Sequence, residues 1–376
     1  MNIVIDAQPI LGKRTGIGEY VYEAVKRLPN HFKEDAIHLC FFSFLKKETP
    51  PIELTTANVT IHFHTFFPRR VLEASLKLGI PLPYSLFARY GDAFLFPNFV
   101  AYPTKGKPAT LIIYDLSYLR FPTQAESKNQ KFLTRYVPAS LKRATNVITI
   151  SNFSKNEIVD AYGFPEDRIH VAYPGVDTSL FRPVQGTPRI QAILKKHGIP
   201  PDYILFIGTL EPRKGIEPLL QAYESWKDKD KPSLVLIGKR GWGHLPTLER
   251  ALRSGIKGVI CPGYVDRRDL PILLSHARLF VYPSIYEGFG IPVLEAMACC
   301  TPVVCGNCPS FREIGSDILK YCDVTNPDSL REALYSTLAS PPSAKTLDSG
   351  VQRAARFTWD GTARVIASVI KSTLSP

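Results

Sequence analysis

The stretch Ser284-Ile-Tyr-Glu-Gly-Phe-Gly-Ile-Pro-Val-Leu-Glu295 sets Glu287 and Glu295 on either side of seven residues, with Gly288 and Gly290 bracketing Phe289. Glycines there let the backbone turn tightly and approach a ligand closely. From Ile291 to Cys299 the sequence reads as a helix: Pro292 fits its first turn, and Leu294, Ala296 and Met297 favour helix. A helix opening on a glycine loop offers unpaired N–H groups and a positive dipole end, which suits phosphate. One carboxylate precedes those amides and the other lies about a turn inside the helix, so the pair could hold hydroxyls on either side of a bound pyrophosphate. Two glutamates at this spacing are by themselves more often solvated surface, and the surrounding strings must decide.

Outward from that stretch, short β-branched runs alternate with longer helical patterns, which predicts parallel sheets with crossover helices. Strands are expected at Ile3 to Ile5, Ile37 to Phe44, Val59 to Phe63, Ala93 to Phe96, Leu111 to Tyr114 and Val147 to Ile150. A second series follows at Ile204 to Ile207, Leu234 to Ile237, Val259 to Cys261, Leu279 to Tyr282 and Pro302 to Cys305. Between the series, Tyr173 to Pro188 carries three prolines and two glycines without periodicity and reads as a linker. The expected organisation is an N-terminal domain over 1–180, a C-terminal domain over 181–356 and a terminal helix over 357–376. Two doubly wound sheets facing across a cleft would bind ligands at their carboxyl ends.

At 376 residues the chain is long enough for two such domains, and 45% hydrophobic content is that of a globular protein. With 46 basic and 34 acidic residues the net charge is +12, which fits nucleic acid, an anionic membrane surface or a phosphate-rich substrate. No nucleic-acid motif is present and the charge is spread, so the last two are favoured. The start, Met-Asn-Ile-Val-Ile-Asp6, is strand-like rather than a secretory signal, and no apolar run approaches a bilayer span. The protein is expected in the cytoplasm, with peripheral attachment at the inner face of the membrane. The run from Phe66 through Arg69, Arg70 and Arg89 mixes basic and apolar residues and reads either as a lipid-docking surface or as an ordinary packed helix pair.

Seven cysteines, an odd count in a chain this large, point to reduced thiols. Cys305-Gly-Asn-Cys308 is an isolated pair without a second set of zinc ligands. Pro309 and Ser310 after it read as loop, not the helix a redox motif would open.

Gly208-Thr-Leu-Glu-Pro-Arg-Lys-Gly215 follows a predicted strand, where Arg213 and Lys214 together could neutralise a diphosphate, with Glu211 beside them. Taken with Cys300-Thr-Pro-Val-Val304 after the glutamate pair, these strings resemble the E-x7-E signature and phosphate loop of the retaining glycosyltransferases of family 4. The resemblance covers nearly the whole chain and is most specific from Tyr203 to Gly315. It implies a GT-B fold and a retaining, metal-independent hexosyltransferase. The donor would be a nucleotide diphosphate sugar, GDP-mannose leading over UDP-glucose and dTDP-rhamnose, and the acceptor a glycan or lipid-linked glycan of cell-surface polysaccharide.

Carried over residue by residue, it makes Glu287, Lys214 and Arg213 the catalytic set. Gly208, Glu211, Tyr264, Val265, Gly288, Phe289, Gly290, Ile291 and Glu295 then line the donor. Gly16, in Thr15-Gly-Ile-Gly18, would offer an amide to the donor phosphate. Tyr114 and Asp115 would touch the sugar or acceptor, although family members commonly carry His where Tyr114 stands, and a phenol cannot take a proton near neutral pH. No Asp-x-Asp metal motif serves a donor phosphate, and no cofactor is expected. Two other readings stay open: a sugar-nucleotide-binding protein without transferase activity, and a GT-B epimerase.

Overall fold

The computed structural model of the protein describes residues 1–12, 16–43, 56–228 and 230–374. Thr15 and Phe44, which belong to two of the segments read above, lie outside the described residues. The chain folds as α/β in two compact units. Unit 1 comprises the described parts of Met1–Leu119, Lys128–Gly175 and Thr358–Pro376. Unit 2 comprises Arg120–Ser127 and Val176–Phe357.

Unit 1 is built on β1 (Asn2–Asp6), β2 (Ala36–Phe42), β3 (Val59–His64), β4 (Ala93–Phe96), β5 (Ala109–Ile112), β6 (Asn146–Thr149) and β7 (Ile169–Val171). They pair in parallel in the order β3-β2-β1-β4-β5-β6-β7. Strands such as Ile3–Ile5 and Phe94–Phe96 are apolar and buried on both faces, as a sheet covered by helices on each side requires. The helix Gly16–His31 covers one face with Tyr20, Val21, Ala24, Val25 and Leu28, a stripe at helical spacing.

Against that helix packs Trp359–Ser372, whose first turn is capped by Thr358 Oγ1 accepting from the Gly361 amide at 3.1 Å. Trp359 is buried edge-on to Tyr20, with ring centroids 5.8 Å apart. A Cβ on Gly175 would lie 2.1 Å from the Trp359 backbone nitrogen, so only glycine lets the two segments meet.

Unit 2 repeats the plan with β8 (Tyr203–Ile207), β9 (Ser233–Ile237), β10 (Val259–Gly263), β11 (Leu279–Tyr282), β12 (Val303–Gly306) and β13 (Lys320–Cys322). The parallel order is β10-β9-β8-β11-β12-β13. In each sheet the winding reverses once, between β1 and β4 and between β8 and β11. Loops leaving adjacent strands in opposite directions at such a switch point leave a crevice at the carboxyl ends, where ligands of these sheets bind.

β5 stops at Ile112, and only one further ladder bond, from the Ile113 amide to the Ile148 carbonyl at 2.9 Å, extends it, so Tyr114 lies beyond the strand. The three-residue edge strands β7 and β13 are too short to leave a periodic signal in the sequence. Pro188 is not linker but sits in the first turn of the helix Thr187–His197. Likewise Pro309 and Ser310 open the helix Pro309–Gly315, with Cys308 at its N-cap. The proline read as loop is at the one helical position where its missing N–H costs nothing.

Candidate functional site

Four charged side chains converge at the switch point of unit 2, between the loops that leave β8 and β11. The first loop makes a short 3-10 turn, Pro212–Lys214, and is reversed by Gly215 in the left-handed region (φ 67°) before the helix Ile216–Ser225. A Cβ at Gly215 would fall 2.0 Å from the Pro283 carbonyl oxygen. The second loop is bonded to the first through the Ile285 amide, which donates to the Arg213 carbonyl at 3.0 Å. The two loops are therefore one interlocked piece of backbone, and the basic pair cannot move independently of the glutamate segment.

Arg213 Nη2 donates to Glu211 Oε1 at 2.9 Å, while Nη1 donates to the Tyr286 carbonyl at 2.6 Å and lies 3.2 Å from Glu287 Oε2. Lys214 Nζ bonds the other Glu287 oxygen and donates to the Tyr282 hydroxyl at 2.7 Å. The Glu287 carbonyl is held in turn by Ser310 Oγ at 2.8 Å and Cys308 Sγ at 3.6 Å. Glu211, Lys214, Glu287 and Tyr282 are all buried.

Burial alone would push the Glu287 carboxyl up in pKa. Lys214, then Arg213, outweigh it and hold the group down at about 2. On Lys214 burial favours the neutral amine, but the Glu287 charge prevails and its pKa is raised. Burial raises Glu211, opposed by Arg213 and Lys214, and it lifts the Tyr282 phenol to about 12. Near neutral pH Glu287 is thus a fixed acceptor and not a proton donor, and the two cations are aligned before any ligand arrives.

Tyr282 carries no signal in the sequence beyond ending a strand, yet it is the neutral floor under Lys214. Tyr282→Phe keeps the ring, whose centroid lies 5.0 Å from Nζ, and removes one hydrogen bond to a buried charge. The expected loss is about 2 kcal/mol in urea unfolding. An unchanged midpoint would show that Lys214 does not depend on this hydroxyl.

The second glutamate lies inside the helix Ile291–Ala298, where Glu295 is buried and its Oε1 is 3.0 Å from Arg267 Nη2. Gly290 precedes the helix at φ 129°, and a Cβ there would meet the Phe311 ring at 2.7 Å, so core packing already demands this glycine. The Phe289 ring is buried against Phe357 with centroids 5.6 Å apart, leaving its backbone as the part able to meet a ligand. Gly288 and Ile291 flank it in the same turn. Gly208 starts the first loop, its amide on the Ile237 carbonyl at 2.9 Å. After β10, Tyr264 is 64% exposed whereas Val265 is buried.

The remaining expected residues belong to unit 1. Gly16 is the first residue of the helix that follows β1, and a Cβ there would meet nothing within 4 Å. Tyr114 is buried, edge-on to Tyr20 at 5.3 Å, and its hydroxyl donates to the Pro97 carbonyl at 2.7 Å. Burial, then Tyr20, raises its pKa well above that of an ordinary phenol. The structure thus gives Tyr114 a packing role, with Asp115 half-buried beside it, accepting from the Ser117 amide at 2.8 Å.

The seven cysteines are free thiols. Burial raises Cys305 well above the usual thiol range, and it raises Cys308 also. Although the C-x-x-C opens a helix, its thiols lack the lowered pKa that marks reactive pairs. Among the described residues no group of three or more His, Cys, Asp or Glu is placed to hold a metal ion. No described helix is long and apolar enough to cross a membrane.

Known proteins share this fold. The family model described as glycosyl transferases group 1 matches residues 190–353, and that described as Glycosyltransferase Family 4 matches residues 15–180. An O-antigen chain mannosyltransferase B of Escherichia coli is 32% identical over 96% of this chain and 97% of its own. An O-antigen chain mannosyltransferase of Salmonella typhimurium, RfbU, is 27% identical over 69% of this chain and 68% of its own. The crystal structure of Anabaena Alr3699/HepE in complex with UDP-glucose superposes with a TM-score of 0.72 at 17% identity, covering 99% of this chain and all (100%) of that one. The two doubly wound sheets are accordingly those of a glycosyltransferase: the chain belongs to family 4, the group 1 glycosyl transferases.

Proposed function

We propose that the protein is a retaining, metal-independent hexosyltransferase that moves mannose from GDP-mannose to a glycan or lipid-linked glycan in O-antigen synthesis. The observation that carries the reading is the ion-pair cluster of buried Lys214 and Glu287 with half-buried Arg213 at the switch point of unit 2. Arg213, Lys214 and the amides opening the helix Ile291–Ala298 supply positive charge to the leaving diphosphate. Glu287, fixed and ionised, orients the sugar, and Glu295 takes the ribose hydroxyls. The diphosphate leaves on the face from which the acceptor hydroxyl enters, and its oxygen accepts that hydroxyl's proton. The protein then contributes positioning and field, with no separate base required.

Mannose and the O-antigen are supported by the two mannosyltransferases to which the chain is similar, and the retaining course by the E-x7-E string. Unit 2 is the donor side and unit 1 the acceptor side, and the protein works peripherally at the inner face of the membrane.

Thermal shift against GDP, UDP and dTDP tests the donor. GDP is expected to raise the melting point most, since a ligand at about 100 times its Kd stabilises the folded state by about 2.7 kcal/mol. A larger shift with UDP or dTDP would remove GDP-mannose. Binding without transfer of a labelled sugar to any glycan acceptor would leave a sugar-nucleotide-binding protein instead.

A further inference from the structure

We infer that unit 1 docks on anionic lipid through the helix Arg69–Lys77 and the turn that follows it. This rests on the membrane placement proposed above. The helix buries Leu72, Ser75 and Leu76 and turns Arg70, Val71, Ala74, Lys77 and Leu78 outward along one stripe.

Large apolar side chains cluster at its ends: Phe66 is 93% exposed, Leu78 78% and Ile80 75%. Single exposed apolar residues need no explanation, but here three this bare flank the two ends of one helix whose outward stripe also carries Val71.

The far end of the helix is held rigidly. The Leu78 amide donates to the Ala74 carbonyl at 2.9 Å, the Gly79 amide to Leu76 at 3.1 Å and the Ile80 amide to Ser75 at 3.0 Å. The Leu82 amide adds a bond to Ser75 Oγ at 3.0 Å. Gly79 takes φ 74°, which turns the chain back and leaves Leu78 and Ile80 in solvent. At the other end Phe67 packs on Phe87, with ring centroids 4.6 Å apart, while its neighbour Phe66 points away. Backbone bonds and ring contacts thus hold these apolar side chains out in water at both ends of the helix instead of letting them fold back.

Charge selects the occupant. Arg70 and Lys77 lie on the same exposed stripe as the apolar residues. Glu73 is the one acidic residue in 56–90, and it is 3.6 Å from Arg69, which itself pairs with Asp6 at 2.9 Å. A second copy of the chain would set these cations against each other, whereas an anionic headgroup layer under a helix lying flat takes both the cations and the apolar side chains at its two ends.

Flotation with phosphatidylcholine vesicles, with and without phosphatidylglycerol, tests the assignment. The wild-type protein is expected to float only with phosphatidylglycerol, and less at high salt. The variant F66S/L78S/I80S should stay in solution. R70Q/K77Q should bind roughly thirtyfold more weakly, at about 1 kcal/mol per lost charge. An unchanged melting-point shift with a nucleotide diphosphate shows that each variant is folded, and Phe66→Ser alone serves if the triple variant is not.

Failure of the wild type to float would overturn the membrane placement itself. Variants that float like wild type would overturn this face alone. A change in oligomeric state with flotation intact would assign the face to self-association.

Discussion

Replacing Glu287 with glutamine is expected to lower kcat for sugar transfer by about 10²–10³-fold, the usual loss for a preorganised polar contact at a reacting centre. Glutamine keeps the shape and one acceptor but removes the charge on which both Lys214 and Arg213 are aligned. The same change leaves the Lys214 ammonium buried without its counter-ion, which costs about 3–5 kcal/mol of stability. Both numbers must therefore be measured: kcat from labelled-donor transfer, and unfolding in urea with and without nucleotide.

A further signature lies in acid. A carboxyl held at about 2 when folded binds its proton more readily when unfolded, so it stabilises the fold at neutral pH. That stability is present above the ordinary carboxyl range and is lost as pH falls toward 2. Glu287→Gln should flatten this acid limb. Near-normal turnover in the variant would remove Glu287 from the mechanism.

The second large effect is expected at Gly215. Gly215→Ala must place a methyl group 2.0 Å from the Pro283 carbonyl oxygen in a backbone conformation that suits glycine. A backbone atom cannot swing aside like a side chain, so one loop has to shift. The expected cost is at least about 3 kcal/mol, from the clash together with left-handed strain. Because Ile285 is bonded to Arg213 across the same junction, the shift should also move Glu287 relative to Lys214. Activity should then fall by more than the unfolded fraction accounts for. A variant that unfolds like wild type and keeps its turnover would show that the interlock is loose.

Much of this architecture is legible in the chain. Apolar runs such as Tyr203–Ile207 and Leu279–Tyr282 are buried on both faces and announce parallel strands. The loops after them carry glycine, arginine, lysine and glutamate in strings specific enough to name a family. What escaped depends on pairing across distance. Tyr282 meets Lys214 only once β8 and β11 lie side by side, and Arg267 meets Glu295 only in the folded unit. Nothing local marks either partner. Gly290 misled in the other direction: it is required by Phe311 in the core, whatever ligand its backbone also meets. Cys308 belongs to an isolated C-x-x-C in the sequence, and in the fold its buried sulfur donates to the Glu287 carbonyl.

The packing of Trp359–Ser372 against Gly16–His31 has a temporal side. Tyr20 and Gly175 are finished by Trp359, a residue that emerges from the ribosome after all of unit 2. The unit begun first is therefore completed last. Until then its first helix carries an uncovered apolar flank while a second sheet assembles, which leaves the nascent chain open to misassembly until Trp359–Ser372 has been made.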